Sequence, residues 1–236
     1  QHTERAVINW QSFNVGKDAT VNFNQPSSSA VMLNRVTGST PSNIYGNLRA
    51  NGQIFLINSN GIYFGGGAKV SVGALVASTQ SISDQQFAVG NYVFQQNQSG
   101  VILNDGSING GYLALIAPQI TNAGLLQATQ GDIALLSGEA VSLDISPSGR
   151  IKVAMQGSEL ESLITNSGSV GAMQSVQFRA NAVQSVVNQT INSPDSIDAL
   201  VTTNGVVRMV RSTGSIKGKD VTIAAGSGAA SINGVV

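Results

Sequence analysis

Acid–base or nucleophilic chemistry needs carboxylates in pairs, or a carboxylate, a histidine and a nucleophile brought together. The 236 residues hold twelve acidic and twelve basic side chains, one histidine and no cysteine. Glycoside cleavage uses two carboxylates flanking one bond, and calcium-assisted lyase chemistry uses grouped carboxylates. Here the acidic residues are scattered. Only Glu159 with Glu161, and Asp195 with Asp198, come close, and both pairs fall in stretches that interrupt the strand pattern. His2 stands at a terminus, so no Ser-His-Asp arrangement is credible. No catalytic residue, no metal ligand set and no cofactor is expected, and the chain reads as a non-enzyme.

The residues that do form a pattern are amides and glycines. Asn47–Phe64 holds two Asn-Gly pairs, Asn51-Gly52 and Asn60-Gly61. Asn-Gly takes positive φ at little steric cost, so each pair predicts a sharp turn. Between them Ile54-Phe55-Leu56-Ile57 is an unbroken apolar run, and Ile62-Tyr63-Phe64 follows. Both are too short for helices and are bounded by turn residues, which predicts strands. A strand apolar at successive positions is expected to be covered on both faces. Gly65-Gly66-Gly67 lacks the following Lys-Ser/Thr of a phosphate cradle and is rejected as one.

The positioning elements must be built from an almost uncharged chain. Charged residues make up 10%, against roughly 25% in ordinary domains. The formal net charge is zero, so no field draws the chain to nucleic acid or to an anionic membrane. No apolar run reaches the roughly 18 residues of a spanning helix, so the chain is not expected to be membrane-embedded. The lack of cysteine agrees with export as an unfolded chain, and Gln1 is read either as following a removed segment or as an artificial start.

Short alternations recur from the start, Val7-Ile8-Asn9-Trp10, Phe13-Asn14-Val15-Gly16 and Thr20–Phe23, and Ala30–Val36 is read as a strand. Trp10 is read as core or cap packing, and Arg35 as a partly buried ion pair or carbonyl clamp. Gln80–Gln86 is read as a loop or one helical turn. Ala88-Val89 and Tyr92–Phe94 are read as a strand pair around Gly90-Asn91. From residue 101 a repeat appears. Asn104-Asp105-Gly106-Ser107-Ile108 is echoed at Asn122, Asn166 and Ser212, with glycine spacings of 18, 44 and 46. The last two are near twice 22 and 23, with Gly149 and a degenerate Asn188–Ile191 as intervening copies. Each copy is followed by a second strand: Tyr112–Ile116, Asp132–Leu136, Ser175–Phe178 and Asp220–Ile223. Val141–Ile145 is read as a third.

Three short strands per turn of roughly twenty residues, with Gly and Asn at corners, describe an all-β solenoid, the parallel β-helix. About ten coils at about 4.8 Å would make a rod on the order of 50 Å long. The chain reads as one domain over 1–236, a cap and motif region over 1–100 and regular coils over 101–236. Glu159–Leu163 is read as one helical turn. Asn188–Val210 is read as an excursion or hairpin with turns at Ser193-Pro194-Asp195 and Asn204-Gly205. Arg208, Arg211, Lys217 and Lys219 are read as a solvated face.

Several ordered pieces resemble a known family. They are Ile8–Asn14, Ser29-Ala30-Val31 with Asn34-Arg35-Val36, Asn51–Ile62 and Ala77-Ser78-Thr79. Together they resemble the two-partner secretion domain of filamentous haemagglutinin and the high-molecular-weight adhesins, most closely the adhesin branch. The resemblance is dense over 6–80. It implies a right-handed parallel β-helix with an N-terminal cap and extra-helical strands, at the front of a large Gram-negative exoprotein. It implies recognition in the periplasm by the POTRA domains of a TpsB-type outer-membrane β-barrel transporter, secretion to the cell surface, and templating of the coils that follow. Adhesion, biofilm or toxin functions, with host-cell or matrix glycans as partners, are implied for downstream regions. The family's Asn-Pro-Asn-Gly-Ile motif falls on Asn58, Ser59, Asn60, Gly61 and Ile62, with serine in place of proline. A second motif, Asn-Pro-Asn-Leu, is absent, and Asn24-Gln25-Pro26-Ser27 holds its place. By the same resemblance Asn24, Gln25, Pro26, Asn34 and Arg35 join the recognition candidates, and Asn9, Trp10, Phe13, Asn51 and Gly52 are cap or turn residues. The family's residues ahead of Ile-Asn-Trp are missing, which implies a trimmed chain or an incomplete cap. The competing reading is a glycan- or host-surface-binding module.

Overall fold

The computed structural model describes residues 1–95, 100–157, 161–180, 186–187, 197–203, 206–226 and 231–232. The strands stack in three faces. Face one runs Arg5–Trp10, Val31–Val36, Gln53–Ile57, Ala74–Ser78, Leu113–Ile116, Ile133–Ser137, Ser175–Ala180 and Asp220–Ala225, each parallel to the next. Face two runs Ser42–Ile44, Ile62–Phe64, Val101–Asn104, Gln119–Asn122, Ser162–Asn166 and Val206–Ser212. Face three runs Thr20–Phe23, Asn47–Ala50, Lys69–Ser71, Ser107–Gly110, Leu125–Ala128, Ser169–Ala172 and Ser215–Lys217. The chain passes from face two to three to one and back, a right-handed parallel β-helix.

Register stacks like on like. Ile62, Ile102, Ile120 and Ile164 lie in line on face two and are fully buried. One coil alone could not cover these side chains, and the stack makes them one continuous core.

Face one is covered on both sides, as its unbroken apolar runs require. Ile54 and Leu56 point into the rod. Phe55 and Ile57 point outward into a second core with Phe87, Tyr92, Phe94 and Val141. The cover is an antiparallel sheet of Tyr92–Gln95, Ala140–Ile145 and Ile151–Gln156, with a short helix, Asp84–Ala88, capped by the Ser83 hydroxyl accepting from the Gln86 amide. Where the cover ends, the outward positions of face one turn polar, at Gln177 and Arg179.

The cover corrects four expectations. Val141–Ile145 is not a coil strand but the middle of the antiparallel sheet. Ala88 ends the helix rather than starting a strand, and Gly90, at φ 74°, turns the chain into Tyr92–Gln95. Gly149, at φ 76°, is a hairpin turn rather than a coil corner. Asn122 pairs directly with Asn166, and Asn166 with Ser212, so the spacings of 44 and 46 are single coils carrying excursions. Face one therefore has eight parallel strands rather than ten coils, and the rod is about 34 Å long at 4.8 Å per step. Ser162-Leu163 is strand, not helix; Glu159 and Leu160 lie outside the described residues. Ile197–Thr203 packs antiparallel on Val206–Ser212. The Asn188–Ile191, Ser193–Asp195 and Asn204-Gly205 readings lie outside the described residues.

Two corners are glycine columns. Between faces two and three, a Cβ on Gly124, Gly168 or Gly214 would strike the carbonyl oxygen of the glycine one coil earlier. Beside it runs a buried amide ladder. The Asn104 side chain donates to Asn122 Oδ1 at 2.7 Å, Asn122 to Asn166 Oδ1 at 2.7 Å, and Asn166 to Ser212 Oγ at 2.9 Å. Between faces three and one, Gly73 N donates to Gly52 O, and Gly111 N to Gly73 O. Gly52 is thus required for close approach. It is not among the positive-φ glycines, against the expectation for Asn51-Gly52; Gly61, at φ 119°, is.

Candidate functional site

Among the described residues, the third corner, from face one to face two, carries the added helix and strands: the helix with Tyr92–Gln95, the 140–156 hairpin and the Ile197–Thr203 strand. Asn58–Gly61 makes the same crossing in four residues between Gln53–Ile57 and Ile62–Phe64. Asn58 is fully buried. Its Nδ2 donates to Thr40 O and to Ser42 Oγ, both at 3.0 Å. Its Oδ1 accepts from Asn60 N at 3.0 Å, and its carbonyl accepts from Gly61 N at 3.1 Å. Asn60 Nδ2 reaches Gly38 O at 2.9 Å and Asn58 Oδ1 at 3.1 Å. Two amides thus fix their own turn and tie it to the coil before. Ser59 is half-buried, and Ile62 is buried in the rod. The serine is accommodated because the side-chain bonds of Asn58 and Asn60, not a ring, set the turn. Gly38–Ser42 reads in the sequence as a turn, but its contacts with Asn58 and Asn60 do not, since these partners lie 16 and 22 residues away.

Beside this turn lies a shallow uncharged groove of about 250 Å³, lined by Pro41, Asn60, Gly61, Tyr63, Val101 and Leu103. Tyr63 closes one side, its hydroxyl donating to Asp105 Oδ2 at 2.7 Å. That bond holds the Tyr63 phenol above its ordinary pKa.

The other candidates gather elsewhere. Trp10 Nε1 donates to the buried Asn34 Oδ1 at 3.0 Å, and Trp10 meets Phe13 edge to face at 5.5 Å. Arg35 donates to Asn9 Oδ1 at 3.2 Å and to Ile82 O at 2.8 Å, and pairs with Asp84 at 2.7 Å. It locks the first strand and the short helix to one coil. Gln25 is buried and grips the Asn51-Gly52 corner. Its N donates to Asn51 Oδ1 at 2.7 Å, its carbonyl accepts from Asn51 Nδ2 at 2.8 Å, and its Oε1 accepts from Gly52 N at 3.2 Å. Asn24 and Pro26 flank it, exposed. The structure therefore makes two clusters, Asn58–Ile62 with Ser42 and Asn24–Pro26 with Asn51-Gly52, and a clamp at Asn34-Arg35.

Two anchors went unread in the sequence. The buried Asp132 accepts from Ile151 N at 2.7 Å and Ser175 N at 2.8 Å and pairs with Arg150 at 3.2 Å, nailing the hairpin to the rod. Arg5 donates to Phe87 O and to Tyr92 Oη and lies over both rings at 5.6 Å. Among the described residues no three His, Asp or Glu side chains group closely enough to hold a metal, and no helix is long and apolar enough to cross a membrane.

A β-helical rod with one sheathed face, amide-locked corners and added strands at one corner defines an elaborated parallel β-helix. The model of the TPS secretion domain matches residues 1–217. The chain belongs to that family. It is 32% identical over 183 residues to a heme/hemopexin-binding protein of Haemophilus influenzae strain Rd, covering 73% of this chain and 20% of that protein. A second Haemophilus influenzae heme/hemopexin-binding protein is 36% identical over 107 residues, 45% of this chain and 12% of its own length. The chain thus spans about a fifth or less of these relatives. Among solved structures, the HMW1 secretion domain from Haemophilus influenzae matches with TM-score 0.70 and 30% identity, over 74% of this chain and 50% of that one. The filamentous hemagglutinin secretion domain matches with TM-score 0.50 and 18% identity, over 72% and 75%, a likeness of fold.

Proposed function

We propose that this domain is the address that a TpsB-type outer-membrane transporter reads through its POTRA domains, and that it carries no enzymatic activity. The match to the TPS secretion domain over residues 1–217 carries this reading. The secreted form then stands at the bacterial surface, with its coils as the template for those behind. Ser215–Lys217 supports the templating step: among the described residues it has a strand neighbour on one side only, an edge that further chain can extend. Heme or hemopexin binding stands in the names of relatives of which the chain covers a fifth or less, and we assign it to no residue here.

The test is release into the medium behind a signal peptide, with and without the neighbouring transporter gene. Transporter-dependent release is expected; equal release in its absence, with the transporter shown active on its own substrate, would sink the reading.

A second reading has one observation behind it. A neutral cleft of about 420 Å³ is lined by Ser28, Asn51, Gln53, Tyr112, Thr129 and Gln130, hydroxyls and amides of the kind that bind sugars. A glycan array probed with the isolated domain decides it, and an array without signal removes it.

A further inference from the structure

Asn-Gly is the dipeptide most prone to spontaneous deamidation, because glycine leaves its amide nitrogen free to attack the asparagine carboxamide. The Gly N–Cγ bond forms, the Cγ–Nδ2 bond breaks, and ammonia leaves with the amide proton. Water then opens the succinimide at either carbonyl, giving aspartate or isoaspartate. The attack needs both the carboxamide and the glycine amide free to move. Three Asn-Gly pairs lie among the described residues; Asn109-Gly110 sits inside the strand Ser107–Gly110, and at the two that make corners the fold holds both groups. Asn60 Nδ2 donates to Gly38 O and Asn58 Oδ1, while Gly61 N donates to Asn58 O. Asn51 exchanges two bonds with the Gln25 backbone, and Gly52 N donates to Gln25 Oε1. Asn51 is solvent-exposed all the same, so access alone would leave it reactive.

We propose that Asn51 and Asn60 are latent deamidation sites that folding switches off through these side-chain latches, so that their modification records the time the chain has spent unfolded. The inference does not rest on the export reading. Its chemistry has a consequence for folding. A carboxylate at 60 loses both of the donor bonds and faces the Gly38 and Asn58 oxygens, so a chain modified before folding cannot rebuild this corner.

The experiment is peptide mass mapping of the whole 236-residue chain, held at mildly alkaline pH in buffer or in concentrated urea. If reaction passes through open forms, the folded rate scales with their population. Deamidation at Asn51 and Asn60 is expected to be at least about tenfold faster in urea. Comparable rates in the two conditions overturn the proposal. Gln25→Ala frees the Gly52 amide but keeps both bonds from the backbone of residue 25 to the Asn51 carboxamide, so in buffer, with the β-sheet circular dichroism of the parent, its rates at Asn51 and Asn60 are expected to stay within about twofold of the parent's. A roughly tenfold faster Asn51 in that folded variant refutes the carboxamide latch. Should the variant unfold, the urea comparison on the parent chain still decides.

Discussion

The amide ladder beside the glycine column shows what a single residue does in a stacked fold. Asn122 both accepts from Asn104 and donates to Asn166, in full burial. Asn122→Ala strands two buried polar groups, and is expected to lower stability by about 2–4 kcal/mol, read as a fall in the urea midpoint at unchanged slope. The glycines beside it make a sharper contrast. Gly168→Ala drives a methyl into the Gly124 carbonyl, whereas nothing lies within 4 Å of a Cβ on Gly16. The first variant should be destabilised by more than about 2 kcal/mol and the second hardly at all. Tyr112 supplies a pH dependence. Burial raises its pKa, so folding favours the neutral phenol, donating to Gln53 Oε1 at 2.7 Å. Its stabilisation is complete below the ordinary tyrosine value of about 10 and is lost as pH rises above it. Tyr112→Phe should flatten the alkaline fall in melting temperature between about pH 9.5 and 11; an unaltered fall would show that other groups cause it. The Asn104, Asn122 and Asn166 repeat was legible as spacing. That its amides touch was not, because spacings of 44 and 46 read equally well as two coils.

At the scale of elements, the informative failure is Val141–Ile145. Its alternation was legible, and so was its being a strand. Alternation states which side chains share a face but not which strand lies alongside, and here the partners are antiparallel and outside the rod. The continuous apolar run Ile54–Ile57, by contrast, announced a two-sided strand, and the sheath of Phe87, Tyr92 and Phe94 is its reason. Asp132 joins the sheath to the rod. Asp132→Ala leaves the Ile151 and Ser175 amides without their acceptor. Amide hydrogen exchange in residues 140–156 is expected to accelerate at least about tenfold while Leu113–Ile116 stays protected, a local opening rather than global unfolding. Equal acceleration in both segments would mean that hairpin and rod unfold as one unit.

For the whole molecule, the resemblance over residues 6–80 located the family, and the coil pattern beyond 100 located the architecture. The candidate recognition residues, however, turn out to be ones that also build corners. Asn58 and Asn60 hold a turn, Gln25 grips another, and Arg35 clamps the first strand. A loss of export on Asn58→Ala must therefore be separated from a loss of fold. We expect the Asn60→Ala chain to keep its circular dichroism while its transporter-dependent release falls severalfold; release at the parental level would move recognition away from this turn. The one-sidedness of the excursions reaches further, into protein engineering. Along the edge between faces two and three, Gly124, Gly168 and Gly214 leave no room for a Cβ, whereas the edge from face one to face two carries whole hairpins. A foreign peptide inserted between Ser39 and Thr40, on the hairpin-bearing edge, should be displayed on a folded rod, while the same peptide between Ser167 and Gly168 should leave insoluble chain. The domain is then a display rail with a single mounting side, and sequence drift among its relatives should collect along that side.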